Sequence, residues 1–282
     1  MSFNDQRRPN RRDKQASQVR KAIAVLAFVC VVVAGIGYAY FAASKNIRPT
    51  DSLTFCPTDD KGPNSVTAIL IDRTDPFNLT QQTAIRDRLN DVKDHMSRYD
   101  MVEIYSVEPT QTKLLKPEFS MCSPGRGEDA SDWTSNRHLI EERWKNMFDA
   151  PLQNLFNSIL STETAQISPI MESIQSIAVT RLGSRKLASE KIPRRLIIVS
   201  DLIQYVKDYS QYYRNPRSFD QFRDTPYYQS VRADLSDINV EIWYVRRQKT
   251  LVFQGEKHVD FWRDYLSDQG ASVDKVWYVP GT

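Results

Sequence analysis

The stretch Ile69-Leu-Ile-Asp-Arg-Thr-Asp-Pro76 decides the fold that we expect for this chain. It ends an apolar run, 65–72, whose last residues are apolar on both faces, as is typical of a central strand in a parallel sheet. The strand finishes on a carboxylate, and the loop after it holds a hydroxyl, a second carboxylate and a proline. A helix is predicted directly after this loop, because apolar residues recur at helical spacing at Ile85, Leu89, Val92 and Met96.

Further strands and helices alternate along the rest of the chain. Apolar runs predict strands at 101–107, 195–200, 239–245 and 276–279, with one short edge strand around 113–119. Helical spacing and capping signals predict helices around 136–148, 152–159, 168–177, 228–235 and 259–266. Five or six strands that alternate with helices indicate an α/β fold with a doubly wound, mostly parallel sheet and helices on both faces.

A membrane anchor is predicted in front of this domain. The segment from Ala22 to Ala43 carries no charge and is long enough to span a bilayer as a helix. Residues 1–21 read as a disordered basic tail, so the positive-inside rule predicts a cytoplasmic N-terminus at the inner membrane of a bacterium. A cleaved signal peptide and a buried core helix are the alternatives. We assign residues 44–64 to a tether and residues 65–282 to a periplasmic domain.

Composition narrows the partners that the chain can have. The formal net charge of +3 on 282 residues is nearly balanced, which argues against a nucleic-acid partner. Cys56 and Cys122 lie beyond the predicted span, in an oxidising space, and they can form a disulfide; two free buried thiols are the alternative. The three histidines stand alone, so no Cys or His cluster has the spacing of a zinc site.

Two adjacent central strands are predicted to end in acidic groups. The first strand is followed by Asp72, with Asp75 three residues later, and the predicted buried strand 195–200 is followed by Asp201. Ligands of such a sheet bind outside the carboxyl ends of the strands, where Thr74 and Ser168 can converge with these acids. Carboxylate and hydroxyl oxygens suit a hard cation such as Mg²⁺. The candidate metal ligands are Asp72, Thr74, Ser168 and Asp201, and Asp75 can assist.

The order of these elements resembles the von Willebrand factor type A family. A strand ending in Asp-x-Thr, a hydroxyl at a helix start and a later strand ending in Ser-Asp carry the resemblance. That family has a metal-ion-dependent adhesion site. The resemblance implies that Asp72 matches the first Asp of the site, Thr74 its first hydroxyl and Asp201 its last Asp. The hydroxyl of the second loop is matched by Ser168 or by Thr164. Ser168 is also expected to cap the helix that follows it.

One residue departs from the pattern of that family. Pro76 stands where a second Ser is expected, and it has no side-chain ligand. Asp75 can compensate for the missing oxygen, whereas Arg73 brings a positive charge close. The alternatives to a bound cation are that Asp72 and Asp201 accept backbone N–H groups in loops or at helix starts, or that they form a catalytic pair.

The segment 203–227 is rich in tyrosine and arginine, which are enriched in the hot spots of protein interfaces. It follows the strand that ends before Asp201, so we expect it to rise on the same edge of the sheet. We interpret it as a partner-binding lid formed by Tyr205, Tyr209, Tyr212, Tyr213, Arg214, Arg217, Phe219 and Arg223. The alternative is a self-packed loop whose aromatic side chains cover the domain's own core.

These features favour a binding module over an enzyme. The favoured function is a membrane-anchored scaffold that recruits a protein partner in the bacterial envelope. The alternative is a metal-assisted envelope hydrolase that uses Asp72, Asp75 and Asp201. The sequence has no Gly-rich phosphate loop, no G-x-S-x-G elbow and no Ser–His–Asp pattern, so nothing marks a catalytic residue. A third interpretation makes the outer domain structural and the basic cytoplasmic tail the working part.

Overall fold

The computed structural model describes residues 11–44, 48–109, 114–129, 136–160, 165–183, 191–212 and 218–281. The chain divides into two compact units, Met1–Arg48 and Pro49–Thr282. The first unit contains one helix, α1 (Arg11–Ser44). Its segment Gln18–Phe41 is long and apolar enough to cross a membrane, judged by length and composition. The first half of the predicted basic tail lies outside the described residues.

The second unit is built on a six-stranded sheet. Its strands are β1 (Ser65–Ile71), β2 (Asp100–Ser106), β3 (Phe119–Cys122), β4 (Arg194–Ser200), β7 (Ile238–Val245) and β8 (Ser272–Val279). They lie in the order β3-β2-β1-β4-β7-β8, and all neighbours are parallel except β2 and β3. A separate short hairpin is formed by β5 (Tyr205–Val206) and β6 (Tyr209–Ser210).

Helices cover both faces of the sheet, as the sequence predicts. They are α2 (Leu79–Asp94), α3 (Arg137–Trp144), α4 (Ala150–Ile159), α5 (Ile170–Ile177), α6 (Phe219–Arg223), α7 (Pro226–Ser230) and α8 (Glu256–Asp268). One buried cluster joins α5, α6, α7 and α8 to the sheet, and a second joins α2, α3 and α4 to it. The prediction of a doubly wound, mostly parallel α/β sheet is confirmed.

The central strand shows why both faces must be covered. Side chains alternate along a strand, so Ala68 and Leu70 of β1 enter the cluster on one face, and Ile69 and Ile71 enter the cluster on the other. All four are at most 1% exposed. Because the strand is apolar on both faces at its carboxyl end, it must be covered by helices on both sides. It lies between β2 and β4, so Asp72, the residue after it, comes at the centre of the sheet.

The segment in front of β1 is part of the folded unit. Residues 49–64, which the sequence assigns to a tether, fall within the second unit. Phe55 is 8% exposed, and the backbone N–H of Cys122 donates to the carbonyl of Thr54 at 2.8 Å. Cys56 and Cys122 form the predicted disulfide, which links this segment to β3. A covalent bond and a backbone hydrogen bond therefore hold the segment on the sheet.

Candidate functional site

The site is centred on Asp72, which comes directly after β1. The side chain is fully buried, and its two oxygens accept hydrogen bonds from hydroxyl groups. The Thr74 hydroxyl donates to Oδ1 at 2.6 Å, and the Ser200 hydroxyl donates to Oδ2 at 2.7 Å. The backbone N–H of Thr74 donates to Oδ1 at 3.1 Å. A buried carboxylate needs such donors, because an unpaired one is costly to desolvate.

Ser168 lies at the edge of this group of donors. Its hydroxyl is 3.4 Å from Oδ2 of Asp72, which is long for an O–H···O hydrogen bond. The prediction that Ser168 caps the next helix is wrong: α5 begins at Ile170, and its N-cap residue, Pro169, makes no side-chain hydrogen bond. The backbone of Ser168 instead pairs with Tyr205, so the residue joins the hairpin to the site. Thr164, the alternative ligand, lies outside the described residues.

Asp201 follows β4, the neighbour of β1, and lies beside Asp72. It is 4% exposed, and its Oδ1 accepts from the backbone N–H of Ile203 at 2.9 Å. Burial raises the pKa of Asp201 to about 7, and the nearby Asp72 carboxylate adds to this rise, while the guanidinium of Arg247 opposes it. The two acids therefore meet at the carboxyl edge, as the order of the strands predicts.

Arg247 completes the site, and the sequence analysis missed it. Its Nε donates to Oδ2 of Asp201 at 2.9 Å, and its Nη1 donates to the carbonyl of Pro76 at 2.7 Å. Its guanidinium lies 5.3 Å from the ring centre of Phe77. The residue follows β7, which is parallel to β4. The rule that led to Asp72 and Asp201, applied to basic residues as well as acids, would have marked Arg246 and Arg247 as candidates without choosing between them.

Arg73 and Asp75, the two charged residues that follow Asp72 in the sequence, are not among the described groups that hydrogen-bond to it. Arg73 is 3.6 Å from a carboxylate oxygen of Glu118, so its charge is paired there. Asp75 lines a cavity of about 360 Å³ that opens next to the site. Asp72 and Asp201 are not among the described residues that line this cavity. A substrate in the cavity would therefore contact Asp75 but not Asp72 and Asp201, the other two acids of the hydrolase alternative.

The arrangement fits a divalent cation poorly. The oxygen atoms of Asp72, Thr74 and Asp201 are suitable ligands by type. However, the guanidinium of Arg247, only 9% exposed, already lies against Asp201, and a cation there would meet its repulsion. Within the described ranges, no group of three His, Cys, Asp or Glu side chains is placed to hold a metal. Mg²⁺ binding stays a prediction that this geometry argues against.

The predicted partner-binding residues fall into three groups. Tyr213, Arg214 and Arg217 lie outside the described residues. Phe219 is 8% exposed and belongs to the core, while Tyr209 packs against that core and stacks on Tyr227 at 5.2 Å between ring centres. Arg223 is paired with Asp220 and Asp268 at 3.3 and 3.8 Å. Part of the segment therefore packs on the domain itself, which was the alternative interpretation.

Tyr205 and Tyr212 are the exposed aromatic residues of this segment in the described structure. They are 43% and 38% exposed, and their rings contact each other edge to face at 5.3 Å between centres. Tyr212 also lines the cavity beside the site. Partial burial raises the pKa of Tyr212 to about 12, and the carboxylates of Asp201, Asp75 and Asp72 contribute to this rise. The exposed aromatic pair thus lies next to the acidic strand ends.

No protein-family model matches this chain, and no curated protein sequence matches it. Among solved structures, it is similar to the crystal structure of the ArnB paralog VWA2 from Sulfolobus acidocaldarius, with 10% identity and a TM-score of 0.40. The match covers 77% of this chain and 41% of that chain, so this chain spans less than half of that protein's length. The sheet itself, with its order β3-β2-β1-β4-β7-β8, defines a von Willebrand A or Rossmann-like α/β fold.

Proposed function

We propose that this protein is a membrane-anchored binding module that recruits a protein partner in the bacterial envelope. The partner contacts the carboxyl edge of the sheet, where the hairpin carries Tyr205 and Tyr212. The observation that carries the proposal is this exposed aromatic pair beside the ends of β1 and β4. Tyrosine offers a large, rigid contact area and is enriched in interface hot spots.

The way in which the strand-end acids are held supports binding over catalysis. Asp72 and Asp201 are buried, and their oxygens already accept hydrogen bonds from hydroxyl, backbone and guanidinium groups. A general acid or base must reach the proton that it moves. Since neither acid lines the neighbouring cavity, the hydrolase alternative has less support than the binding module.

Two features support a periplasmic location for the domain: the basic residues before the apolar helix and the disulfide after it. We infer that α1 spans the inner membrane with its N-terminus in the cytoplasm, because basic residues precede the apolar segment Gln18–Phe41. The domain then lies in the periplasm. The Cys56–Cys122 disulfide supports this inference, since such bonds persist in oxidising compartments.

Site-specific photocrosslinking in the native host tests the proposal. A photoreactive amino acid is placed at Tyr205 or Tyr212, and at Val179 as the control, because Val179 is 67% exposed but lies beyond the C-terminal end of α5, whose first residue follows Ser168 at the site. We expect one or more protein adducts of defined mass from positions 205 and 212 and none of that mass from position 179. No adduct from 205 or 212, with each variant inserted in the membrane, would contradict the proposal.

A further inference from the structure

The cavity beside the site has an excess of positive charge. Arg246, Arg247 and Lys249, from the loop after β7, line it together with one carboxylate, Asp75. Because Arg247 is paired with Asp201, Arg246 and Lys249 remain against that single acid. The cavity encloses about 360 Å³, which is room for one or two side chains of a partner.

The loop that carries these cations is held in place by hydrogen bonds between its backbone and two glutamine side chains. The side-chain amide of Gln81, at the start of α2, donates to the carbonyl of Arg246 at 2.8 Å. The side-chain amide of Gln254 donates to the carbonyl of Val245 at 2.7 Å, and its oxygen accepts from the N–H of Arg247 at 2.8 Å. A ligand would therefore meet a preorganised loop, and less free energy is lost in ordering it on binding.

Two guanidinium nitrogens of this loop lack an acceptor. Within the part of the chain that the structure describes, Nη2 of Arg247 and Nε of Arg246 are buried and have no hydrogen-bond partner. Leaving a buried donor unsatisfied is unfavourable, especially on a charged group. These two atoms are closed to solvent, so a ligand in the cavity pairs with other nitrogens of the loop. The half-buried Arg246 and the exposed Lys249 line the cavity, and the planar guanidinium of Arg246 matches the two oxygens of an acidic side chain.

The surroundings favour a carboxylate over a doubly charged phosphate. Asp75 lines the cavity, and the buried Asp201 lies behind Arg247, so a second negative charge on the ligand would be repelled. Pro76 and the ring of Tyr212 form nonpolar parts of the wall. These suit the methylene groups of a glutamate side chain next to its charged end.

We propose that this cavity binds an acidic side chain of the protein partner. The resemblance implies that a metal ion supplies the positive charge at this edge; here Arg246, Arg247 and Lys249 supply it instead. The inference rests on the proposed function, because the partner is what brings the carboxylate. It names the chemistry of the partner: a surface segment with glutamate or aspartate that inserts between the loop after β7 and the start of α2.

Peptide binding to the full chain in detergent micelles tests the inference. The probe is fluorescein-labelled tetraglutamate, with tetraglutamine as the neutral control, followed by fluorescence anisotropy. The double variant Arg246→Gln/Lys249→Gln removes two cations of the cavity without touching the Arg247–Asp201 pair. The matched control, Lys257→Gln/Arg263→Gln, removes two exposed cations of α8 that do not line the cavity.

We expect wild type to prefer tetraglutamate, the cavity variant to bind it about tenfold more weakly, and the α8 variant to bind as wild type does. Equal binding of the two peptides, or equal weakening in both double variants, would overturn the inference. Binding of tetraglutamate that appears only with Mg²⁺ and is removed by a chelator would also overturn it, because a metal would then supply the charge.

Crosslinking separates a failure of this inference from a failure of the proposed function. The photoreactive group at position 212 is combined with Arg246→Gln/Lys249→Gln. Loss of the partner adduct in this chain supports an acidic partner. An undiminished adduct overturns the carboxylate inference and leaves partner binding intact. If wild type itself gives no adduct at 205 or 212, the proposed function fails, and the peptide experiment alone decides the inference.

Discussion

Arg247 donates from Nε to Oδ2 of Asp201 at 2.9 Å, and the two side chains are only 9% and 5% exposed. The same guanidinium donates to the carbonyl of Pro76 in the loop after β1. One side chain thus connects the ends of β1, β4 and β7, three strands that lie together in the sheet. A fixed positive charge stands at the edge where the sequence predicts a cation.

Removing this charge should destabilise the fold. In Arg247→Met the buried Asp201 loses its ionic partner, and breaking one side of a buried pair costs about 3–5 kcal/mol. Chemical denaturation of the full chain in micelles measures the free energy of unfolding of the domain. The double variant Arg247→Met/Asp201→Asn should recover part of the loss, because no unpaired charge remains. A loss below about 1 kcal/mol in the single variant would show that the pair is not structurally important.

The hydroxyl groups around Asp72 should differ in their effect. Ser200→Ala removes a donor at 2.7 Å from a fully buried carboxylate and should cost about 1.5–3 kcal/mol of unfolding free energy. Ser168→Ala removes a hydroxyl at 3.4 Å from the same oxygen and should cost less. Denaturation of the two variants side by side gives the comparison. Equal losses would mean that Ser168 approaches Asp72 more closely in solution.

The disulfide should be formed in the native protein and should stabilise it. Cys56 and Cys122 are 66 residues apart, and a loop of that size is expected to stabilise the fold by about 2–4 kcal/mol. Cys56→Ser/Cys122→Ser should lose that amount in denaturation. Alkylation followed by mass measurement should modify one cysteine, Cys30, in unreduced and unfolded protein, and three after reduction. Three modified cysteines without a reductant would contradict both the bond and the oxidising compartment.

A buried histidine should make the fold less stable in mild acid. Burial lowers the pKa of His258 to about 4, from its ordinary 6.5, and its ring bonds Tyr244 and the carbonyl of Leu202. Between these two pH values the unfolded chain takes up a proton that the folded chain does not, so stability falls as the pH drops from about 6.5 to about 4. His258→Gln keeps a donor for Leu202 but does not titrate.

Unfolding free energies of wild type and His258→Gln, measured from pH 7 to pH 4, test this prediction. The difference between the two should change in favour of the variant as the pH falls through this range. A difference that does not depend on pH would show that the pKa of His258 is the same in the folded and the unfolded chain. The subtraction matters because Asp201, whose pKa is raised from 3.8 to about 7, changes stability in the opposite direction over the whole of this range.

The sequence was sufficient to predict the sheet and the position of its acidic edge. β1 and β4 are apolar on both faces, and each is followed by a carboxylate, so parallel pairing alone brings Asp72 and Asp201 together. Alternation and helical spacing are local patterns, and they are readable without knowing any contact between distant residues. The pairing of Cys56 with Cys122 was also predictable, because they are the two cysteines that lie beyond the apolar helix in the sequence.

The contacts within the edge were not predictable in the same way. Arg247 lies 46 residues from Asp201, and nothing in the local pattern shows that this guanidinium, rather than that of Arg73, turns toward the acids. The aromatic segment raised a similar problem. Phe219 packs in the core and Tyr212 is exposed, yet the same composition suits a hot spot and a core. Side-chain direction in irregular segments depends on the assembled fold.

Calorimetric titration of Mg²⁺ into the full chain in micelles tests most directly whether Arg247 supplies the positive charge at this edge. We expect no saturable heat for wild type, Asp72→Ala or Asp201→Ala, because the guanidinium already lies against Asp201. Saturable Mg²⁺ binding by wild type that disappears in both variants would show that a metal, and not Arg247, supplies the charge. It would establish a metal site formed by Asp72 and Asp201 despite Pro76.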